Sequence, residues 1–134
     1  MIMGSGRVGS RVAASLATDG HSVAVIDPDR QQVMRLPRAL VESGAIELVP
    51  GDGSSGSSMR AAGIETADLF LALSGDDAVN GLAAQKARTM FGVRRVGCRV
   101  QDDGLHELYT GLGIMVTSPT HLVTDVILQS MSDM

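Results

Sequence analysis

Short apolar runs rich in β-branched residues recur along the chain: Ser22–Ile26 (SVAVI), Ile46–Val49 (IELV), Asp68–Leu73 (DLFLAL), Arg95–Val100 (RVGCRV) and Ile114–Thr117 (IMVT). They are nearly continuous rather than alternating, the mark of parallel strands buried on both faces. Met1–Met3 adds a first strand that is brief for a central position, where about five residues is usual. Segments with helical spacing lie between the runs. Val8, Val12 and Leu16 form one i, i+4 stripe, and Val79, Leu82, Ala83, Lys86 and Ala87 lie in a second segment from about Asp77 to Phe91. Leu105, Leu108 and Leu112 mark a third, and Leu122, Val123, Val126, Ile127 and Met131 a fourth. The helix after the third strand is short, around Ser57–Ala62, and Pro37 interrupts or ends the helix after the second.

This alternation predicts one α/β domain over residues 1–134, a Rossmann-like, doubly wound parallel sheet of six strands in the order 3-2-1-4-5-6. No linker, repeat or low-complexity tract divides it; GDGSSGSSM from Gly51 reads as a long strand-to-helix loop. Composition narrows the class. Hydrophobic residues at 44% and charged residues at 19% describe a folded globular chain. No apolar run reaches about 18 residues, so no direct membrane insertion is expected, and no signal peptide is visible before the glycines. A net charge of −4 without a basic block, and only Phe70, Phe91 and Tyr109 as aromatics, argue against nucleic acid as partner. The single cysteine, Cys98 in VGCRV, reads as a buried structural thiol of a reducing compartment.

Candidate chemistry begins at GSGRVG, residues Gly4, Ser5, Gly6, Arg7, Val8 and Gly9. A lone GxGxxG is weak evidence, but this one follows a strand and opens a helix. Gly4 then makes the tight turn, Gly6 lets a pyrophosphate approach the backbone, and Gly9 permits close helix–strand packing. The helix N-terminus offers free N–H groups and partial positive charge to an anion. Asp27, ending the second strand, stands at the distance expected of the acid that accepts from ribose hydroxyls and repels a 2′-phosphate, which favours NAD(H) or a plain adenine nucleotide over NADP; its alternative is a helix cap. Asp29 reads first as the N-cap and Arg30 first as a solvated residue, the alternatives being ligand contact and flanking of the adenine. Arg7 opposes the helix dipole, a placement that makes sense if it faces phosphates; otherwise it extends into solvent. At two later strand ends, Asp52 is placed to accept the adenine amino group, with Gly53 leaving room for the ring, and Ser74 and Gly75 face the phosphates across the switch point. Asp76 and Asp77 are most simply capping acids. Arg99, near the end of the fifth strand, points to the same carboxyl edge or is a plain surface residue.

Taken together, GSGRVG, VAVIDPD, the GDGS turn, ADLFLALSGDDAVN, the arginine of CRVQD and LGIMVTSPTHLVTDVIL resemble the TrkA N-terminal domain, also called the RCK (regulator of potassium conductance) N domain. The resemblance covers essentially the whole chain. It implies a cytoplasmic domain, peripheral to a membrane potassium transporter or channel, that gates ion transport in response to bound NAD(H), ATP, ADP or AMP. It also implies phosphate contact by Arg7, ribose contact by Asp27, a place for Asp52 near the adenine, and assembly as a homodimer within a larger ring. The family pattern continues into a C-terminal ligand-sensing domain that is not part of this sequence.

Two enzyme classes share the fold. An NAD-dependent oxidoreductase needs a substrate site and an acid/base group beside the nicotinamide, usually on a second domain. Here His21, His106 and His121 are scattered, and the tyrosine–lysine spacing of short-chain reductases fails, because Tyr109 is followed four places on by Gly113. A methyltransferase adds an antiparallel seventh strand after the sixth. GxxxxGK[ST] is absent, which removes a P-loop reading. The preferred class is a regulatory binding module, no metal ligands or catalytic residues are expected, and a cofactor-binding domain separated from its substrate domain is the alternative. The last segment, Thr120–Met131, carries apolar residues in a stripe wider than one sheet face needs, with Leu128 off the main stripe. It predicts a homodimer helix; the alternative is a helix packed on its own sheet.

Overall fold

The computed structural model describes all 134 residues. Six parallel strands form one sheet in the order β3-β2-β1-β4-β5-β6, as the alternation predicts. They are β1 (Ile2–Met3), β2 (Val23–Asp27), β3 (Ile46–Pro50), β4 (Leu69–Ala72), β5 (Arg95–Arg99) and β6 (Met115–Thr117). The helices are α1 (Arg7–Thr18), α2 (Arg30–Val33), α3 (Arg38–Glu42), α4 (Gly56–Ala61), α5 (Asp77–Thr89), α6 (Asp103–Gly111) and α7 (Pro119–Ser132), with a 3₁₀ turn at Ile64–Thr66. Pro37 is the N-cap of α3, so it divides the second crossover into two short helices.

The brief central strand is held from both sides. Ile2 and Met3 pair with Val25 and Ile26 of β2, and with Leu71 and Ala72 of β4. Its ladder extends into the turn, where the Gly4 N–H donates to Ile26 O at 2.9 Å and the Leu73 N–H donates to Met3 O at 2.8 Å. The order reverses between β1 and β4, and the chain leaves these adjacent strands in opposite directions. That geometry opens a crevice at the carboxyl edge.

Two apolar clusters cover the sheet's faces. One joins Met3, Met59, Phe70, Ala83, Ala84, Ala87, Val96, Cys98 and Tyr109; the other joins Ile2, Ala13, Ala17, Val25, Leu36, Ile46 and Leu71. The helix faces that touch the sheet differ from the large-apolar stripes of the sequence. On α1 the buried residues are Gly9, Ser10, Ala13 and Ala17, while Val8 is exposed. On α5 they are Asn80, Gly81, Ala83, Ala84 and Ala87, while Leu82 is exposed. On α6 only Tyr109 is buried, while Leu108 and Leu112 face solvent. Small side chains let a helix approach the sheet closely, so the contact line follows glycine and alanine and the larger residues fall at its margins.

Candidate nucleotide site

The turn after β1 is built by sterics. Gly4 has φ of +98°, and a Cβ there would lie 2.8 Å from the Ser74 nitrogen, so β1 and the exit of β4 approach backbone to backbone. A Cβ on Gly9 would overlap the Gly4 carbonyl, so glycine at the first turn of α1 seats that helix against the strand end. Helix α1 has no side-chain cap and no acidic residue in its first turn. Its partial positive charge and first N–H groups therefore have no internal anion.

Ser5 is fully buried and fixes Asp27, a bond between residues far apart in sequence. The Ser5 N–H and Oγ–H both donate to Asp27 Oδ2, at 2.8 and 2.9 Å, and the Asp29 N–H donates to Oδ1 at 2.8 Å. Asp27 is thus not a helix cap. A carboxylate offers about four acceptor positions, and the protein takes three of them, leaving one on Oδ1 at the cleft. Asp29 is the N-cap of α2, its Oδ1 accepting from the Gln31 N–H at 2.8 Å.

The third wall is the loop after β3. Asp52 Oδ1 accepts from the Ser54 N–H at 2.9 Å and the Ser54 hydroxyl at 2.7 Å. The Ser54 hydroxyl bond, then its N–H bond, holds the Asp52 carboxyl below the usual carboxylate range, with a smaller contribution from Lys86. Lys86, the single lysine of the chain, reaches across from α5 and donates to Ser54 O at 2.7 Å. A Cβ on Gly53 would run into the Met3 side chain, so the core beneath calls for glycine there.

The fourth wall is the loop after β4. Asn80, fully buried on α5, takes the Ser74 N–H at 2.9 Å and the Ser74 hydroxyl at 2.6 Å on Oδ1. Its Nδ2 donates to Ser74 O and to Arg99 O, each at 2.9 Å. Asp76 is the expected N-cap, accepting from the Val79 N–H at 3.1 Å. Asp77 is not a cap: its carboxylate accepts from the Gln101 and Asp102 N–H groups at 2.9–3.0 Å, tying α5 to the start of α6.

These elements enclose an open cleft of about 580 Å³. Of the residues expected from sequence, Gly4, Gly6, Asp27, Asp29, Asp52, Gly53, Ser74 and Gly75 line it together. Ser5 and Gly9 lie behind the wall as supports, and Arg7, Val8, Arg30 and Arg99 are not on it. Arg7 is exposed at the mouth of α1 and forms no ion pair. Arg99 is half-buried beside β6, with Nε shielded from solvent and without a partner. The walls carry four carboxylates, Asp27, Asp29, Asp52 and Asp76, and no cationic side chain. Asn80, which supports the fourth wall, and Gln32, which lines the cleft, are not among the residues expected from sequence. The signal for Asn80 is a polar residue on the face that α5 otherwise fills with alanine; nothing in the sequence marks Gln32.

Away from the cleft, Cys98 is buried and its thiol is pushed up to about 11 by burial, consistent with a structural thiol. The histidines are less scattered than expected. His106 of α6 stacks on His121 of α7 with ring centroids 5.9 Å apart, and His121 Nε2 lies 2.6 Å from Asp103 Oδ1.

A model of the TrkA-N domain matches residues 1–119. The chain belongs to the TrkA-N domain family. It is 41% identical over 96% of its length to the Trk system potassium uptake protein TrkA of Streptomyces coelicolor, covering 56% of that protein. It is 30% identical over 95% of its length to the Haemophilus influenzae TrkA, covering 28% of it. The chain thus spans about half or less of these relatives. Among solved structures, the TrkA-N domain of the Escherichia coli inner membrane protein ybaL superposes with a TM-score of 0.82 at 22% identity, over 96% of this chain and 92% of that one. The GsuK RCK domain superposes with 0.78 at 24% identity, over 94% of this chain and 26% of that one. The GsuK channel bound to NAD gives 0.68 at 18% identity, over 88% and 20%. These likenesses establish the fold, a Rossmann-like parallel sheet of the TrkA-N type.

Proposed function

We propose that this chain is a cytoplasmic regulatory domain that binds NAD(H) or an adenine nucleotide (ATP, ADP or AMP) and gates potassium transport by a membrane transporter or channel. One observation carries the reading. The uncapped N-terminus of α1 and the remaining acceptor of the buried Asp27 face one cleft at the switch point of the sheet. Phosphates lie over Gly4–Gly9, where helix N–H groups and dipole favour an anion, and Arg7, free of internal partners, reaches them from the rim. The adenosine ribose donates to Asp27, whose negative charge disfavours a 2′-phosphate and so selects NAD over NADP. Adenine extends toward Asp52 and Gly53, and Ser74 and Gly75 face the phosphate chain. Potassium uptake as the output is supported by the relatives' names, and NAD as a ligand by the GsuK structure.

The nucleotide acts as a signal rather than a substrate. No histidine, cysteine, lysine or tyrosine lines the cleft, and its four carboxylates each accept hydrogen bonds from the protein's own N–H groups, which supports a binding role for them over a proton-transfer one. Titration calorimetry with NAD, NADH, ATP, ADP, AMP and adenosine tests the proposal. Asp27→Ala is expected to weaken every adenosine-containing ligand by about 1–3 kcal/mol, the usual value of a hydrogen bond to a charged group. Arg7→Ala is expected to weaken di- and triphosphates and leave adenosine unchanged. Absence of binding by the unaltered chain, or full affinity in folded Asp27→Ala, overturns the assignment.

A further inference from the structure

The electrostatics of the cleft leave a deficit that Arg7 alone does not fill. Four carboxylates line it without a cation, and a nucleoside diphosphate brings about three more negative charges that they repel. Two polar groups outside the glycine turn stand at its roof. Gln32, on α2, lines the cleft, and its Oε1 lies 3.5 Å from the point where a Cβ on Gly6 would stand. That is the side on which the second glycine of such a turn admits a pyrophosphate. Arg35, one turn on, donates from Nε to the same Oε1 at 3.1 Å, which fixes which end of the amide is oxygen. Arg35 is exposed and forms no ion pair.

This arrangement conflicts with a phosphate over Gly6, because an Oε1 lone pair would meet a phosphate oxygen. Turning the Gln32 amide by half a rotation removes the conflict. It presents Nε2–H to the phosphate and frees the Arg35 guanidinium, whose Nε then lacks an acceptor. We infer that Gln32 of α2 and Arg35 of the turn after it form a second phosphate-recognition pair, with Gln32 switching from acceptor toward Arg35 to donor toward the ligand's diphosphate. The inference rests on the nucleotide reading above and adds residues that the glycine-turn pattern does not contain. Arg35 supplies cationic charge to an acid-lined cleft, so its effect scales with the number of phosphates. The adenosine end, bounded by Asp27 and Asp52, is untouched by either residue.

The test is calorimetry with adenosine, AMP and ADP on the unaltered chain and on Gln32→Glu and Arg35→Ala. Gln32 lies on a short surface helix without buried residues and Arg35 is exposed in the turn that follows it, so both variants are expected to fold, as circular dichroism will check. Gln32→Glu removes the donor and adds a charge, and is expected to weaken ADP at least tenfold while changing adenosine less than twofold. Arg35→Ala is expected to weaken ADP three- to tenfold, AMP less and adenosine not at all, and to flatten the salt dependence of ADP binding. If the unaltered chain binds none of these ligands, the nucleotide reading fails and this inference with it. If it binds ADP normally and either variant matches it, or loses adenosine equally, this inference alone is overturned.

Discussion

Asn80 makes four hydrogen bonds through one buried amide, three to Ser74 and one to Arg99 O, all between 2.6 and 2.9 Å. A single side chain thereby fixes the loop after β4, which walls the cleft, to the end of β5. The fully used amide is a structural commitment: no other residue type supplies two donors and an acceptor in that reach. Asn80→Ala removes the partners of the half-buried Ser74 amide and Arg99 carbonyl, and each unsatisfied group costs up to about 1–3 kcal/mol. Urea unfolding is expected to show a loss of about 2–4 kcal/mol. Asn80→Asp keeps the acceptor but sets a carboxylate against two carbonyl oxygens, so it too is expected to fall below the unaltered chain. A variant as stable as the unaltered chain in either case would show that the loop is held by other contacts. At the same scale, the place of Asp27 at the cleft was legible from its position at the end of β2, whereas its capture by Ser5 was not. That bond depends on how the turn folds back over the strand end, and the two residues lie 22 positions apart.

At the scale of elements, the strands and their order were legible because a doubly wound sheet buries them on both faces, leaving a plain apolar signal. Helix existence was legible too; helix orientation was not. The stripe of Val8, Val12 and Leu16 places the buried face near the right side of α1, but the residues in closest contact are Gly9, Ala13 and Ala17. Large side chains dominate a hydrophobic pattern, while close packing against a sheet selects small ones. This predicts opposite outcomes for two glycines. Gly9→Ala places a methyl group against the Gly4 carbonyl, a rigid backbone neighbour, and is expected to cost about 1–3 kcal/mol by overpacking. Gly111, at the end of α6, has nothing within 4 Å of a Cβ. Gly111→Ala is expected to gain up to about 1 kcal/mol from helix propensity and a less mobile unfolded chain. Thermal unfolding of both variants checks the pair; a stabilised Gly9→Ala chain would mean that α1 seats differently on the sheet.

The whole molecule is left with an element that its own core does not use. No residue of α7 is buried, and Leu122, Val123, Val126, Ile127, Leu128 and Met131 are each 53–63% exposed. The alternative of a last helix packed on its own sheet is therefore not what the chain adopts. At its root the helix is capped by Ser118 and joined to α6 through His121, Asp103 and His106. The sheet has a matching gap. Met115 of β6 folds over Gly97 beside Leu71, on the face that α1 covers further along, and it remains 61% exposed. A parallel sheet is stable when both faces are covered, and an apolar helix without a partner marks an interface. A second copy related by a two-fold axis would answer both requirements at once, with each α7 over the open β5–β6 face of the other. In the proposed function this exchange would also provide the output, if nucleotide binding moves two domains joined by their last helices relative to each other. Light scattering on the 134-residue chain is expected to report a dimer at micromolar concentration. Val126→Asp with Leu128→Asp on the helix, and separately Met115→Asp on the sheet, are each expected to give folded monomers. A monomeric unaltered chain, with or without nucleotide, overturns the dimer; a dimer that survives Met115→Asp but not the helix changes retains the helix as interface and moves its docking face elsewhere.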